Sequence, residues 1–199
     1  MAGIGLLGGT FDPIHNVHLM LGRQALSQLS LSKVIFVPNG SPPHKSAAVA
    51  SGADRLAMVK LAIAGVAGLC VSDYEIRKKR PGYSVELVEH FRALYPDDVL
   101  YFILGADSLD YIDRWYDGPR LLTLCRFAVA VRGGFSADCQ KKIESLRSQY
   151  GAQIVMLDAA PHTMASAQIR QAAARGESLD ALVPEPVCRY IASHGLYRA

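Results

Sequence analysis

Leu6-Leu7-Gly8-Gly9-Thr10-Phe11-Asp12-Pro13-Ile14-His15-Asn16-Val17-His18 is the stretch on which the fold of this chain turns. The apolar run that enters it, residues 3–7, reads as a buried strand. Gly8 and Gly9 let the backbone turn sharply and approach a ligand closely. Asp12-Pro13 favours a turn, and from about residue 18 to 29 the apolar spacing becomes helical. A strand, a glycine turn and a helix make the first unit of a parallel sheet. The free N–H groups at such a helix start attract anions. His15 and His18 are three apart, so on a first helical turn they share one face, aimed at that anion.

Working outward, the alternation continues. Residues 33–37, 69–72, 100–104, 127–131 and 153–157 read as further strands, and 53–64, 84–94 and 137–150 as helices. Continuous apolar strands alternating with helices indicate an α/β fold, a doubly wound and mostly parallel sheet covered on both faces. Two short helices, about 166–174 and 186–194, close the chain. The reading is one domain, 1–199, in which 166–199 is a C-terminal helical segment. Ligands of such sheets sit at the carboxyl ends of the strands, so loops 8–16, 38–52, 105–118 and 158–168 are expected to share a site.

Bulk properties narrow the function. The chain has 199 residues, half of them hydrophobic, and 21 basic against 18 acidic side chains, a net charge of +3. That excess is too mild to indicate a nucleic-acid or membrane partner. The first residues lack the basic and apolar regions of a signal peptide, and the apolar stretch 56–71 is interrupted by Lys60 and too short to span a bilayer. Cys70, Cys125, Cys139 and Cys188 show no paired spacing, which points to buried or inert thiols in a reducing, cytoplasmic setting. There is no G-x-G-x-x-G, strand two ends Val37-Pro38-Asn39 without a ribose-binding acid, and no P-loop occurs. Zinc would need ligands beyond the His15–His18 pair, and His44, His90, His162 and His194 have no ligand spacing, so no resident metal is expected. The basic run 77–80 has no aromatic pattern for stacking bases and reads as a solvated turn.

Gly8 to His18 resembles the G-G-T-F-D-P-x-H-x-G-H signature of the nucleotidyltransferase superfamily. Pro42-Pro43-His44-Lys45, Arg55-Leu56-Ala57-Met58, Pro81-Gly82-Tyr83-Ser84, Gly105-Ala106-Asp107-Ser108-Leu109 with Trp115-Tyr116, and Met164 to Arg170 extend the likeness over nearly the whole chain. The ending Gly195-Leu196-Tyr197 is also typical. Together they resemble the bacterial nicotinate mononucleotide adenylyltransferases. The departures are Val17 for glycine, Gly82 for serine, and Ala165 and Ala167 for hydroxyl residues. Val17 adds bulk where ATP lies close, and the alanines remove donors to a phosphate or adenine.

The resemblance implies a Rossmann-like fold and adenylyl transfer from ATP to nicotinate mononucleotide by direct in-line attack, with Mg²⁺ arriving on the ATP. His15 and His18 are then the catalytic donors to the ATP phosphates. Gly8, Gly9, Thr10, Phe11, Gly105, Asp107, Ser166, Ile169 and Arg170 fall to ATP binding. Asp107 meets the adenosine ribose, and Arg170 meets phosphate beside an N-cap supplied by Ser166. Lys45, Tyr83, Ser84, Trp115 and Tyr116 fall to the mononucleotide: Lys45 for its phosphate, Trp115 for stacking on the ring, and backbone N–H groups near Tyr83-Ser84 and Tyr116 for its carboxylate. The alternatives are a sibling enzyme accepting nicotinamide mononucleotide or phosphopantetheine, and a non-catalytic nucleotide-sensing module.

Overall fold

The strand-forming runs identified above become six strands: β1 (Gly3–Gly9), β2 (Lys33–Pro38), β3 (Leu69–Val71), β4 (Val99–Gly105), β5 (Arg126–Arg132) and β6 (Gln153–Ala159). In this computed structural model, which describes residues 2–40, 49–78, 80, 82–132, 136–159 and 164–198, they form one sheet in the order β3-β2-β1-β4-β5-β6. β1 pairs with β4, β4 with β5 and β5 with β6, all parallel. The order runs outward in both directions from β1 and β4, which is the doubly wound arrangement, with its switch point between those two strands.

The chain divides into two compact units, each drawn from three separate segments. The first comprises 1–8, 21–35 and 83–161; the second comprises 9–20, 36–82 and 162–199. The core of the first unit is the apolar run of its strands. Leu6 on β1 and Phe127, Ala128 and Val129 on β5 are fully buried, and Ile4 and Ile103 nearly so. A strand enclosed on both faces needs no polar alternation, which is why these runs read as continuous hydrophobics.

The helices are α1 (Asn16–Gln28), α2 (Gly52–Ile63), α3 (Tyr74–Arg77), α4 (Ser84–Leu94), α5 (Ala106–Leu109), α6 (Gly118–Leu124), α7 (Ala137–Tyr150), α8 (Ser166–Ala174) and α9 (Glu185–Ser193). Their ends follow local chemistry. Ser51 Oγ accepts from Asp54 N at 3.1 Å to open α2, and Ser136 Oγ accepts from Cys139 N at 3.1 Å to open α7. Gly151, left-handed at φ 66°, closes α7 by donating to the Arg147 carbonyl.

Several expectations need correction. Ser166 is the first residue of α8 rather than its cap; Ala165 holds the cap position, and its N–H donates to Gln168 Oε1 at 3.0 Å. His15 lies just before α1 instead of within its first turn. Cys70 is exposed. Lys78, in the basic run, is mostly buried and lies 3.4 Å from the buried Glu75 carboxylate, so the run is not wholly solvated. The Pro42–Lys45 loop, Lys79, Pro81 and His162 lie outside the described residues.

Candidate functional site

In the second unit the signature loop is built around one carboxylate. Asp12 is 3% exposed. Its oxygens accept from Val49 N at 2.8 Å and Ala50 N at 3.2 Å, and from the Tyr197 hydroxyl at 2.7 Å. Arg170 Nη1 donates to the Asp12 carbonyl at 2.8 Å and lies 3.9 Å from its carboxylate. Ser166 Oγ donates to the Pro13 carbonyl at 3.0 Å, so the start of α8 is tied to this loop at two points.

Arg55 reaches the same loop from α2. It is 1% exposed, and its guanidinium donates to the carbonyls of Thr10 at 2.7 Å, Gly40 at 3.1 Å and Ala50 at 3.4 Å. Burial pushes its pKa below the ordinary value, and the neighbouring Asp12 charge opposes that. Burial also pushes the Tyr197 hydroxyl far above its ordinary range, reinforced by its bond to Asp12, so it stays a neutral donor.

The two histidines meet although His15 precedes α1. Their rings stack with centroids 3.7 Å apart. His15 is buried, and His18 lies half-buried, edge-on to Phe11 at 4.9 Å. The His15 backbone N–H donates to His18 Nδ1 at 3.3 Å. An Nδ1 that accepts leaves the proton of a neutral imidazole on Nε2, so His18 presents a donor there. The anion role expected of the helix start is narrower than its free N–H groups suggested, because Asn16 N donates to the Leu182 carbonyl at 3.1 Å.

Of the other residues assigned to ATP in this unit, Phe11 and Ile169 have side chains in the core, 2% and 0% exposed. Thr10 is half-buried, and Gly9 is crowded by the Phe11 ring, 2.9 Å from where a Cβ would stand. Gly82 has an internal reason, since a Cβ there would run into the Glu75 carboxylate. Lys45 lies outside the described residues.

The first unit carries the remaining candidates. Leu7 pairs with Ile103, so Gly8, inside β1, stands one register position short of Gly105, the last residue of β4, at the switch point. A Cβ on Gly105 would meet nothing within 4 Å, and one on Gly8 would meet only the Phe102 ring at 4.0 Å. Neither has a positive φ. Packing and backbone strain therefore do not require glycine at either position, whereas close approach by a ligand would. Asp107 is exposed on α5, one residue beyond Ala106.

Trp115 is half-exposed, edge-on to Phe102 with centroids 6.3 Å apart and tilted against Tyr111 at 6.2 Å. Tyr83 and Tyr116 stack on each other at 4.2 Å, and Ser84 opens α4. The turn bearing Trp115 is held from below, where Lys142 Nζ on α7 lies 2.8 Å from Asp113. That hydrogen bond is the largest influence holding the Asp113 carboxyl below its ordinary value.

Asp12, Arg55 and Tyr197 were not assigned as functional residues from sequence, although all three lie in quoted motifs. For Arg55 a signal was present. Arg55, Met58, Val59, Ala62 and Ile63 follow the helical spacing and are all buried. A charged residue in an apolar stripe must find internal partners. Among the described residues no group of three or more His, Cys, Asp or Glu side chains could hold a metal, and no helix is long and apolar enough to cross a membrane.

The profile of the cytidylyltransferase-like family matches residues 6–174. A protein of Synechococcus sp. (strain JA-3-3Ab), named "Probable nicotinate-nucleotide adenylyltransferase", is 42% identical over 98% of this chain and 94% of its own length. One of Clostridium tetani with the same name is 40% identical over 97% of this chain and 98% of its own. Among solved structures, the Plasmodium falciparum nicotinic acid mononucleotide adenylyltransferase complexed with NaAD superposes with a TM-score of 0.80 at 20% identity. It covers 99% of this chain and 98% of that one, a likeness of fold. The signature loop, the parallel sheet and these full-length matches agree: the chain belongs to the cytidylyltransferase-like family and, within it, to the nicotinate-nucleotide adenylyltransferases.

Proposed function

We propose that this chain transfers the adenylyl group of ATP to nicotinate mononucleotide, giving deamido-NAD and pyrophosphate in NAD biosynthesis, as a single nucleotidyltransferase domain. Neither compact unit is a continuous stretch of sequence, which supports a single domain. The names of the full-length relatives support the substrate pair, as does the NaAD complex of the Plasmodium protein. The observation that carries the chemistry is the stacked His15–His18 pair beside a loop held by two guanidinium groups and one carboxylate.

A phosphomonoester has a second pKa of about 6, so the mononucleotide is already ionised near neutral pH and needs no general base. Its phosphate oxygen bonds to the α-phosphorus of ATP as the bond from that phosphorus to the β-bridging oxygen breaks, and pyrophosphate departs. The protein's work is positioning and charge stabilisation. His18 Nε2–H donates to the phosphate oxygens that gain charge, and His15 stacks against it. Arg170 holds ATP phosphate with the donors that Asp12 leaves over, and Gly8 and Gly105 admit the adenosine. Trp115 offers its face to the pyridine ring, Lys45 takes the mononucleotide phosphate, and the first N–H groups of α4 near Tyr83-Ser84 meet the carboxylate. Imidazole and guanidinium donors suit phosphate oxygens rather than a cation, which fits Mg²⁺ carried on the ATP with its own waters. When bound there, it neutralises phosphate charge. The four cysteines are free, in keeping with a reducing cytoplasmic setting.

The test is pyrophosphate release from ATP with each acceptor in turn. Nicotinate mononucleotide should give the highest kcat/KM. A preference for phosphopantetheine or nicotinamide mononucleotide would reassign the acceptor, and saturable binding without pyrophosphate would replace the enzyme with a nucleotide sensor.

A further inference from the structure

We infer that Tyr197 is a positioning residue for ATP, acting through Asp12 on Arg170; the inference rests on the reading of the second unit as the ATP phosphate site. The Tyr197 ring is 7% exposed, and its hydroxyl donates to Asp12 Oδ1 at 2.7 Å. The same carboxylate receives the N–H groups of Val49 and Ala50 and faces Arg170 at 3.9 Å. The phenol, which makes the shortest of these three bonds, therefore shares with the two backbone N–H groups in fixing the rotation of a carboxylate on which three chain segments meet. Arg170 also depends on Asp12 through the 2.8 Å bond to its carbonyl. A carboxylate free to turn would pull that guanidinium toward itself and away from an incoming phosphate.

Two residues in this cluster have unusual backbones. Phe11 at φ 50° and Tyr197 at φ 62° are non-glycine residues in the left-handed region, and both are buried. Such conformations persist where the surroundings over-determine them, and they gather at ligand sites. The tyrosine hydroxyl stays neutral because burial and Asp12 both oppose its ionisation, so the bond keeps one direction at every working pH.

The structure supplies a control. Tyr190 donates to Asp54 Oδ1 at 2.9 Å, another phenol–carboxylate bond in the same unit, joining α9 to α2. It makes no contact with the signature loop among the described hydrogen bonds. Tyr190→Phe and Tyr197→Phe remove the same kind of bond from two places. The measurements are thermal unfolding, kcat, KM for each substrate, and the Kd of Mg-ATP by calorimetry. Tyr197→Phe should raise the KM and Kd for ATP on the order of tenfold, in line with loss of a hydrogen bond to a charged group. Tyr190→Phe should leave both within about twofold. Any pattern in which ATP affinity falls no more in Tyr197→Phe than in Tyr190→Phe overturns the inference. If the Tyr197→Phe protein does not fold, 4-aminophenylalanine at each position makes the same comparison with a weaker donor retained. A weaker ATP affinity only at 197 is then expected, and equal affinities overturn it. Because Kd is measured without turnover, a protein that binds ATP and releases no pyrophosphate would reject adenylyl transfer and still decide the role of Tyr197.

Discussion

His18 is the residue whose chemistry is most sharply defined by its surroundings. Its Nδ1 is committed to the His15 N–H, so its remaining donor points elsewhere. Removing one preorganised donor to a developing charge lowers kcat about 10²–10³-fold. His18→Ala should show that loss, with a thermal unfolding midpoint close to wild type, since the side chain is half-exposed. A kcat within a few-fold of wild type would remove His18 from the mechanism. The pairing of His15 and His18 was legible from their spacing alone. The stack was not, because His15 precedes α1, where no helical face sets the direction of its side chain. The family departure at Gly82 is a similar case. In isolation it reads as a lost hydroxyl, whereas the Glu75 carboxylate occupies the place of a Cβ and would have to shift to admit one.

At the scale of elements, the long helices were readable because each spans at least two turns of its pattern, and the strands because each is a continuous apolar run between helices. α4, α7 and α8 fall where the spacing puts them. α3, α5 and α6, of four to seven residues, were not, since so short a piece shows no helical period and is held by its neighbours. The turn at 112–114 belongs with them, and its anchor is the Lys142–Asp113 pair, each side chain about a fifth exposed. Asp113 titrates below the ordinary carboxyl value when folded. The bridge therefore contributes fully above the unfolded value of about 4 and is lost as pH falls through the lowered one. Lys142→Met should lower the unfolding midpoint at pH 7 and have a smaller effect near pH 3. It should also raise the KM for nicotinate mononucleotide more than that for ATP, because the turn carries Trp115. Equal effects at both pH values would mean the pair contributes nothing to stability.

On the scale of the whole molecule, the doubly wound class followed from the alternation of runs, and at the switch point between β1 and β4 two glycines that packing does not require lie one register position apart. What sequence could not supply was which distant residues close on Asp12. Val49, Arg170 and Tyr197 are separated from it by 37, 158 and 185 positions. No local pattern encodes such separations. The choice of acceptor belongs to this scale too, since it requires a ring platform and a helix start together. A carboxylate at the α4 N–H groups gains charge-assisted bonds, whereas an amide must turn part of its donor surface toward donors. That mismatch is about 1–3 kcal/mol, so kcat/KM for the acid should exceed that for the amide by roughly 5- to 150-fold. Equal values would reject carboxylate selection and leave adenylyl transfer standing.

Among the described residues, the charges acting on Tyr197 are one carboxylate, Asp12, and two guanidinium groups, Arg55 and Arg170. Folding thus assembles a local excess of one positive charge that the unfolded chain, with these residues far apart, does not concentrate. A polyphosphate that binds there selects the folded state, and mass action turns its affinity into stability. At a hundred times its Kd, free pyrophosphate should add about 2.7 kcal/mol, and the unfolding midpoint should climb with the logarithm of its concentration. A melting curve indifferent to pyrophosphate would mean the surplus is compensated inside the protein. With the response as expected, nucleotide supply would help govern how long each molecule stays folded.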